Sequence, residues 1–424
     1  MSTGSMWART RPDVVVIGGG AAGMMAALQA AWAGASVVLL EKNEKLGKKI
    51  YITGKGRCNV TNACDIEDFM RQVPRNSKFL NAAVRKFTHE DVTGLLEMLG
   101  TPTKVERGNR VFPVSDKASD VTRAFARGMK DAGVQVELNT PVSHIRKNGA
   151  YFDVVLAQGG TLQAKSVIVA TGGVSYPSTG STGDGYAFAR ENGHTVTPLC
   201  GSLVGLTTED KWPKLLMGLS LKNVRVCAQM GKKKIYDELG EMLFTHFGVS
   251  GPLIIELSSH MPEDFSQVSV TLDMKPALTL EQIDLRLQRE FTENVRRQLS
   301  SVLVSLMPAR MGPVFAQLCG LTPEQPINQI TREQRLEIGR MLKALPLHVT
   351  GTRPIEEAIV TRGGVNVLEV APGSMMSKLE PGLFFAGEVL DVDAHTGGFN
   401  LQIAFSTGAL AGKSAATYAM DMDR

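Results

Sequence analysis

Between residues 14 and 40 the chain carries no charged side chain, yet five glycines interrupt it: Gly18, Gly19, Gly20, Gly23 and Gly34. An uncharged run of this length could cross a bilayer, and Arg9 and Arg11 stand just ahead of it. Its internal pattern argues against that. Val14-Val15-Val16-Ile17 is a β-branched block, an Ala-rich middle follows, and residues 36–40 form a second apolar block. This order predicts strand, helix, strand. No other apolar run approaches spanning length, so the chain reads as soluble, with no membrane partner.

The glycines give the first strand–helix junction a chemistry. In Gly18-x-Gly20-x-x-Gly23 the first glycine permits a tight turn, the second lets backbone approach a pyrophosphate, and the third allows close helix–strand packing. The helix N-terminus adds N–H groups and a positive dipole end. Glu41 lies 18 residues past Gly23, at the end of the second strand, where an acid can bind ribose hydroxyls. An acid there favours an unphosphorylated ribose, as in FAD or NAD, over NADP.

The length of 424 residues suggests two or three domains. Five cysteines, Cys58, Cys64, Cys200, Cys227 and Cys319, form no CxxC pair, which argues for a reduced cytoplasmic protein and against a zinc ribbon. The seven histidines show no ligand spacing, so no metal is expected. A hydrolase elbow of the GxSxG type is also missing. Net charge is +4, but residues 1–130 hold 20 Lys and Arg against 12 acids. A basic half fits an anionic partner, either a nucleotide cofactor or a nucleic acid.

Three longer motifs narrow the reading: Thr53-Gly-Lys-Gly-Arg-Cys-Asn-Val-Thr-Asn62, Phe244-Thr-His-Phe-Gly-Val-Ser-Gly-Pro252, and Ala386-Gly-Glu-x-Leu-Asp followed by Gly397-Gly-Phe-Asn-Leu-Gln402. Together with the first motif they resemble the BaiN/RdsA-type family of NAD(P)/FAD-dependent oxidoreductases, over nearly the whole chain from Asp13. The resemblance implies an α/β fold. A Rossmann-like FAD-binding domain of the two-dinucleotide-binding-domain type would take residues 1–194 and 355–424. A β-rich insert domain would take 195–275 and about 346–354, and a small helical insert domain 276–345.

It also implies non-covalent FAD. The cofactor-binding residues would be Gly18, Gly20, Ala21, Ala22, Gly23, Glu41 and Lys42 from the first motif, then Gly47, Lys48, Gly54, Gly56, Arg57, Cys58 and Asn59. Val142 would join them, as would Ala170, Thr171, Gly172, Gly173 and Asp184, and finally Gly387, Glu388, Asp391, Gly398, Phe399, Asn400 and Leu401. Lys55 is a further candidate for a cofactor phosphate. Four segments, 18–23, 47–56, 172–185 and 387–398, hold 15 of the 43 glycines, as expected if their backbones lie against one cofactor.

Patterning in the middle is consistent with this layout. Residues 134–136, 151–156 and 161–169 read as strands, and 223–230 and 268–272 alternate with period two. Residues 280–306 and 331–345 show helical spacing. Lys232-Lys233-Lys234 reads as a hairpin tip. No second GxGxxG follows a strand, so NAD(P)H would act as a transient electron donor without its own Rossmann domain.

Family members reduce uridine in large-subunit ribosomal RNA to dihydrouridine or reduce unsaturated bile-acid intermediates. Both substrates have a C=C bond conjugated to a carbonyl, so both need hydride at the β-carbon, enolate stabilisation and a proton donor. Catalytic candidates are His246, Cys58 and Arg57, with His395 a weaker one. The readings that follow are a 23S rRNA uridine reductase, a small-molecule ene-reductase acting on steroid enones, and a flavin-binding redox sensor without turnover. Partners would be ribosomal RNA or a small enone. The oligomeric state, monomer or dimer, stays open.

Overall fold

The computed structural model describes residues 11–262 and 264–423; Arg9 lies outside them. The chain forms two compact units. One runs to Ser202 and resumes at Ile355, and the other is Leu203–Pro354.

In the first unit the uncharged run folds as β1 (Val14–Ile17), α1 (Ala21–Trp32) and β2 (Val37–Leu40). With β3 (Gln135–Glu137), β4 (Ser166–Val169) and β5 (Leu383–Phe385) they build a parallel sheet in the order β5-β4-β1-β2-β3. Val14 pairs with Ser166 on one side and Val37 on the other. Every residue of β1, β2, β4 and β5 is buried. Strands covered on both faces read as unbroken apolar runs, which is how these appear in the sequence.

The C-terminal helix α2 (Phe399–Asp421) packs along α1. Two glycines of α2, Gly408 and Gly412, face Ala22 and Ala26 of α1 so closely that an added methyl would overlap their carbonyl oxygens. This explains why α1 lacks a polar side: all of Ala22–Ala30 is buried. The run 161–169 divides at Lys165. Thr161–Ala164 completes an antiparallel meander with Tyr151–Leu156 and Val142–Asn148, while Ser166–Val169 enters the parallel sheet as β4. Lys165 itself pairs with Asp13 at 2.8 Å.

The second unit is a seven-stranded antiparallel sheet, with Ser220–Met230 and Lys233–Phe244 as its long central hairpin and Lys232 in the turn. Its helices do not form a body of their own. Ile283, Leu287, Phe315, Ile338 and Leu342 share one apolar core with Val226, Val270 and Leu272 of the sheet. Residues 203–354 are therefore a single unit, where the sequence suggested a β-rich and a helical insert. The boundary falls after Ser202 because Cys200–Ser202 pairs with Val360–Arg362 inside the first unit. The helical spacing over 280–306 also breaks: the helix Leu280–Glu293 stops where Asn294 Nδ2 donates to the Glu290 carbonyl at 2.8 Å, replacing the next backbone donor.

Two histidines are buried in the first unit. His194 bonds Ser377 through Nε2 at 2.8 Å and lies edge-on to Phe385, and burial lowers its pKa against the opposing pull of Glu369. Burial lowers that of His395 too. A folded-state pKa below the unfolded value means the unfolded chain binds the extra protons first, so stability is lost as pH falls below about 6.5. The melting temperature is expected to be lower at pH 5.5 than at 7.5. Thermal melts of wild type and His194→Gln check this, since the variant should flatten the pH dependence.

Candidate functional site

Four chain segments leave the carboxyl ends of parallel strands and meet along one edge of the sheet: Gly18–Gly20 after β1, Glu41–Asn43 after β2, Thr171–Gly173 after β4 and Gly387–Val389 after β5. Ligands of open α/β sheets bind at this edge, where the strand order reverses. Here it reverses at β1, which lies between β4 and β2 although β2 follows it in the chain.

The β1 turn is built around missing side chains. A methyl at Gly18, whose φ is +104°, would lie 2.5 Å from the Ala170 carbonyl oxygen, and one at Gly23 would overlap the Gly18 carbonyl oxygen. Gly20 differs: nothing in the protein lies within 4 Å of where its methyl would be. It caps α1 with no side-chain acceptor. The first helical hydrogen bond is Met24 N–H to Gly20 at 2.9 Å, so the amides of Ala21, Ala22 and Gly23 precede the ladder and face this space. Such a terminus is an anion site.

Glu41, almost fully buried, accepts from Gly19 N–H at 2.6 Å through Oε2 and from Asn43 N–H and Nδ2 at 2.8 and 2.7 Å through Oε1. It therefore braces the glycine turn from the β2 side and keeps a free lone pair only on Oε2. Lys42 pairs with Asp184 at 2.7 Å and Lys48 with Glu44 at 3.2 Å. Gly47 N–H donates to the Gly19 carbonyl at 2.8 Å, tying the second glycine loop to the first turn.

Towards β4 and β5 the site becomes a polar cluster. Lys49 Nζ contacts Glu388 Oε2 at 2.8 Å and Ser175 Oγ at 2.6 Å, and Glu388 Oε1 also accepts from Ser175 Oγ and from Thr361 N–H at 2.8 Å. Thr361 Oγ1 accepts in turn from Val174 N–H at 2.9 Å. Burial alone would raise the Glu388 carboxyl, but Lys49 and these donors hold it below the usual carboxylate range. Gly173 leaves the room this cluster needs. Sequence reasoning named Glu388 and Lys48; the lysine that reaches the carboxylate is Lys49, and Ser175 and Thr361 carried no local signal.

The C-terminal motif is spent mainly on its own loop. Asn400 accepts from Ala394 N–H at 2.9 Å and donates to the Ala394 carbonyl at 2.7 Å; Phe399 packs edge-on to Phe69. Gly398 starts α2 with φ +101° against the Thr61 backbone, and Gly387 lies against Ala22. The Asp391 carbonyl accepts from Asn76 at 2.7 Å. Leu401 and Val142 are half-buried, Val142 at the start of the meander opposite Leu156.

Three of the catalytic candidates, Cys58, Arg57 and His395, belong to the first unit and His246 to the second. Cys58 is fully buried, and burial pushes its thiol up to about 12 against a hydrogen bond with Thr53. It therefore carries no thiolate near neutral pH. Cys58→Ala is expected to keep flavin and turnover, and native Cys58 should resist iodoacetamide at pH 8 until the protein unfolds, as peptide mapping would show. Arg57 makes ion pairs with Glu106 and, at 2.6 Å, Asp116, and lies over the Phe112 ring at 4.1 Å. These partners raise its pKa, so it acts as a fixed cation. Its neighbours Gly54, Lys55 and Gly56 and the following Cys58 all have positive φ. His395 Nδ1 donates to Gln72 Oε1, 3.1 Å away. His246 lies in the second unit, exposed, between Lys233–Phe244 and Gly248–Ser250, with Phe247 edge-on at 5.0 Å.

The site fits a dinucleotide such as FAD. The space at Gly20 admits a ligand where a methyl would stand, and two buried acceptors nearby in the chain path, Asn59 Oδ1 and Thr171 Oγ1, have no hydrogen-bond partner among the described residues. No group of three metal-ligating side chains occurs among those residues, and no helix is long and apolar enough to cross a membrane.

Residues 12–414 match the family described as HI0933-like protein Rossmann domain. A 3-dehydro-bile acid delta(4,6)-reductase of Clostridium scindens is 31% identical over 95% of this chain and 98% of its own. Ribosomal RNA dihydrouridine synthases of Haemophilus influenzae and Escherichia coli are each 30% identical, over 93% and 94% of this chain and 96% of theirs. Among solved structures, Escherichia coli quinol fumarate reductase FrdA aligns with a TM-score of 0.52 at 15% identity, covering 97% of this chain and 71% of that one. The glycine turn, the braced acid and the match over nearly the whole length place this chain in the HI0933-like family, as an oxidoreductase with a Rossmann-like FAD-binding fold.

Proposed function

We propose that this protein reduces a conjugated C=C bond with FAD and NAD(P)H, and that its substrate is uridine in 23S rRNA, converted to dihydrouridine. The observation that carries the reading is near full-length similarity to two ribosomal RNA dihydrouridine synthases, joined to a cofactor edge of the right form. When bound, the reduced flavin supplies a hydride to the β-carbon of the acceptor. The chain's own part is to hold and orient. The α1 N-terminus takes the pyrophosphate and Glu41 the adenosine ribose, while Lys49, Glu388 and Ser175 form the polar wall beyond β4. Neither Cys58 nor Arg57 suits proton delivery, one being sealed from solvent and the other locked between two acids. The proposed donor is the exposed imidazole of His246, since histidine is the most frequent general acid. No disulfide joins the five cysteines among the described residues, in keeping with a cytoplasmic site of action.

A second reading, reduction of a steroid or bile-acid enone, is favoured by the Clostridium scindens relative. One experiment separates the two. The flavin is reduced anaerobically with NADH or NADPH, then reoxidised with 23S rRNA or with a 3-keto steroid enone. Reoxidation by RNA, with dihydrouridine lost from 23S rRNA when the gene is deleted, supports the first. Unchanged rRNA in the deletion strain and reoxidation by the enone alone would establish the second. His246→Asn should slow reoxidation and leave reduction by NAD(P)H unaltered.

A further inference from the structure

Residues 45–57 and 103–117 together carry nine Lys and Arg against two acids, whereas the rest of the chain has 37 against 40. The fold joins these two segments. Thr61–Asn62 pairs with Arg110 and Val111 of the hairpin, Arg57 bridges Glu106 and Asp116, and Lys104 contacts Asp116 at 2.8 Å. Both acids are thereby consumed. Lys55, Arg107 and Lys117 are exposed and make no ion pair among the described residues; Arg110 donates Nε to the Arg107 carbonyl at 3.1 Å and lies near the Phe112 ring. Lys45 sits over the Tyr51 ring at 4.5 Å.

Exposed apolar side chains belong to the same two segments. Ile52 and Val114 are 45 and 53% exposed, while Val105, paired with Val111, faces the other side of its strand from Lys104 and Glu106. A merely solvated face would balance its charges, as the remainder of this chain does in total. Unpaired cations beside exposed apolar and planar groups instead match a chain of phosphates with accessible bases.

We infer that the surface formed by residues 45–57 and 103–117 of the first unit is the RNA-docking face, with Lys55, Arg107, Arg110 and Lys117 on the phosphate backbone and Ile52 and Val114 against unstacked bases. This rests on the RNA reading above and deepens it. The test is binding of protein-free 23S rRNA by the holoenzyme across a salt series. The variant R107E/R110E/K117E is expected to bind at least about tenfold more weakly at 100 mM salt. The slope of log K against log salt should fall by roughly 2, since each lost contact to a single strand removes about 0.7. Flavin content and NAD(P)H-driven reduction should match wild type. R107K/R110K should bind like wild type, and K232E/K233E/K234E, at the hairpin tip of the other unit, should change the slope little. Equal binding by wild type and R107E/R110E/K117E would overturn the docking face, as would equal losses in the R107K/R110K variant. If the wild type binds RNA and rRNA modification persists, such a result leaves the RNA reading standing. A wild type that neither binds nor modifies rRNA overturns both.

Discussion

Gly20→Ala is expected to yield a folded protein that no longer retains flavin, whereas Gly23→Ala loses both flavin and stability. The two glycines lie three residues apart in one motif, and the difference is geometric. At Gly20 the backbone, with φ −79° and ψ −169°, suits alanine, and the methyl meets no protein atom within 4 Å. The cost to the empty fold is therefore limited to the helix cap, about 0.5–1 kcal/mol. The methyl would instead stand in the space before the free amides of α1, where a phosphate must approach. At Gly23 the methyl collides with the Gly18 carbonyl oxygen, and neither backbone can give without opening the turn. Overpacking against backbone costs about 3 kcal/mol or more. Absorbance near 450 nm after purification, titration with FAD, and thermal melts of the flavin-free proteins would check both. A yellow Gly20→Ala protein with wild-type affinity would show that this space is not the cofactor's.

The double variant G408A/G412A should melt roughly 5–15 °C below wild type. In an isolated helix each change would stabilise by about 0.8–1 kcal/mol. Here both methyls point at the carbonyl oxygens of Ala22 and Ala26, so α2 must move away from α1 along the whole shared face. Overpacking both carbonyls at the upper end of its usual range, about 2–3 kcal/mol at each site, outweighs the propensity gain and leaves roughly 2–4 kcal/mol net, and a domain of this size shifts by roughly 2–4 °C per kcal/mol. Gly94 provides the control. It is exposed within the helix His89–Met98 and no atom lies near its missing methyl, so Gly94→Ala should stabilise by about 0.5–1 kcal/mol. Differential scanning calorimetry of the three proteins would resolve the opposite signs.

What could be read from the residues was what is local. β1, α1 and β2 were legible because an apolar run, an Ala-rich stretch and well-placed glycines each have a single good solution. Glu41 was legible for the same reason, by its distance from Gly23. The extent of the inserts was not. Helical spacing at Ile283 or Leu342 reveals an apolar face but not that strands at Val226 and Val270 cover it. Nor could the sequence choose between Lys48 and Lys49, since the choice depends on Glu388, more than 300 residues away. Thr361 had no signal at all, being an ordinary threonine until β4 and β5 bring Val174 and Glu388 beside it. Cys58 and Arg57 looked reactive because an arginine beside a thiol can lower its pKa; the fold buries the one and pairs the other with two acids.

The parallel sheet closes with β5 and is covered by α2, both drawn from the last 42 residues of the chain. Gly387, Glu388 and the glycines that fit α2 onto α1 thus follow every other segment of the cradle in chain order. A nascent chain holding β1, α1, β2 and β4 has the phosphate turn but an uncovered sheet edge and a bare Ala-rich helix. The second unit, residues 203–354, closes an apolar core of its own between sheet and helices and can fold while the first is still waiting. Truncation within α2 should therefore leave an aggregation-prone chain, because that helix completes a core begun at residue 14.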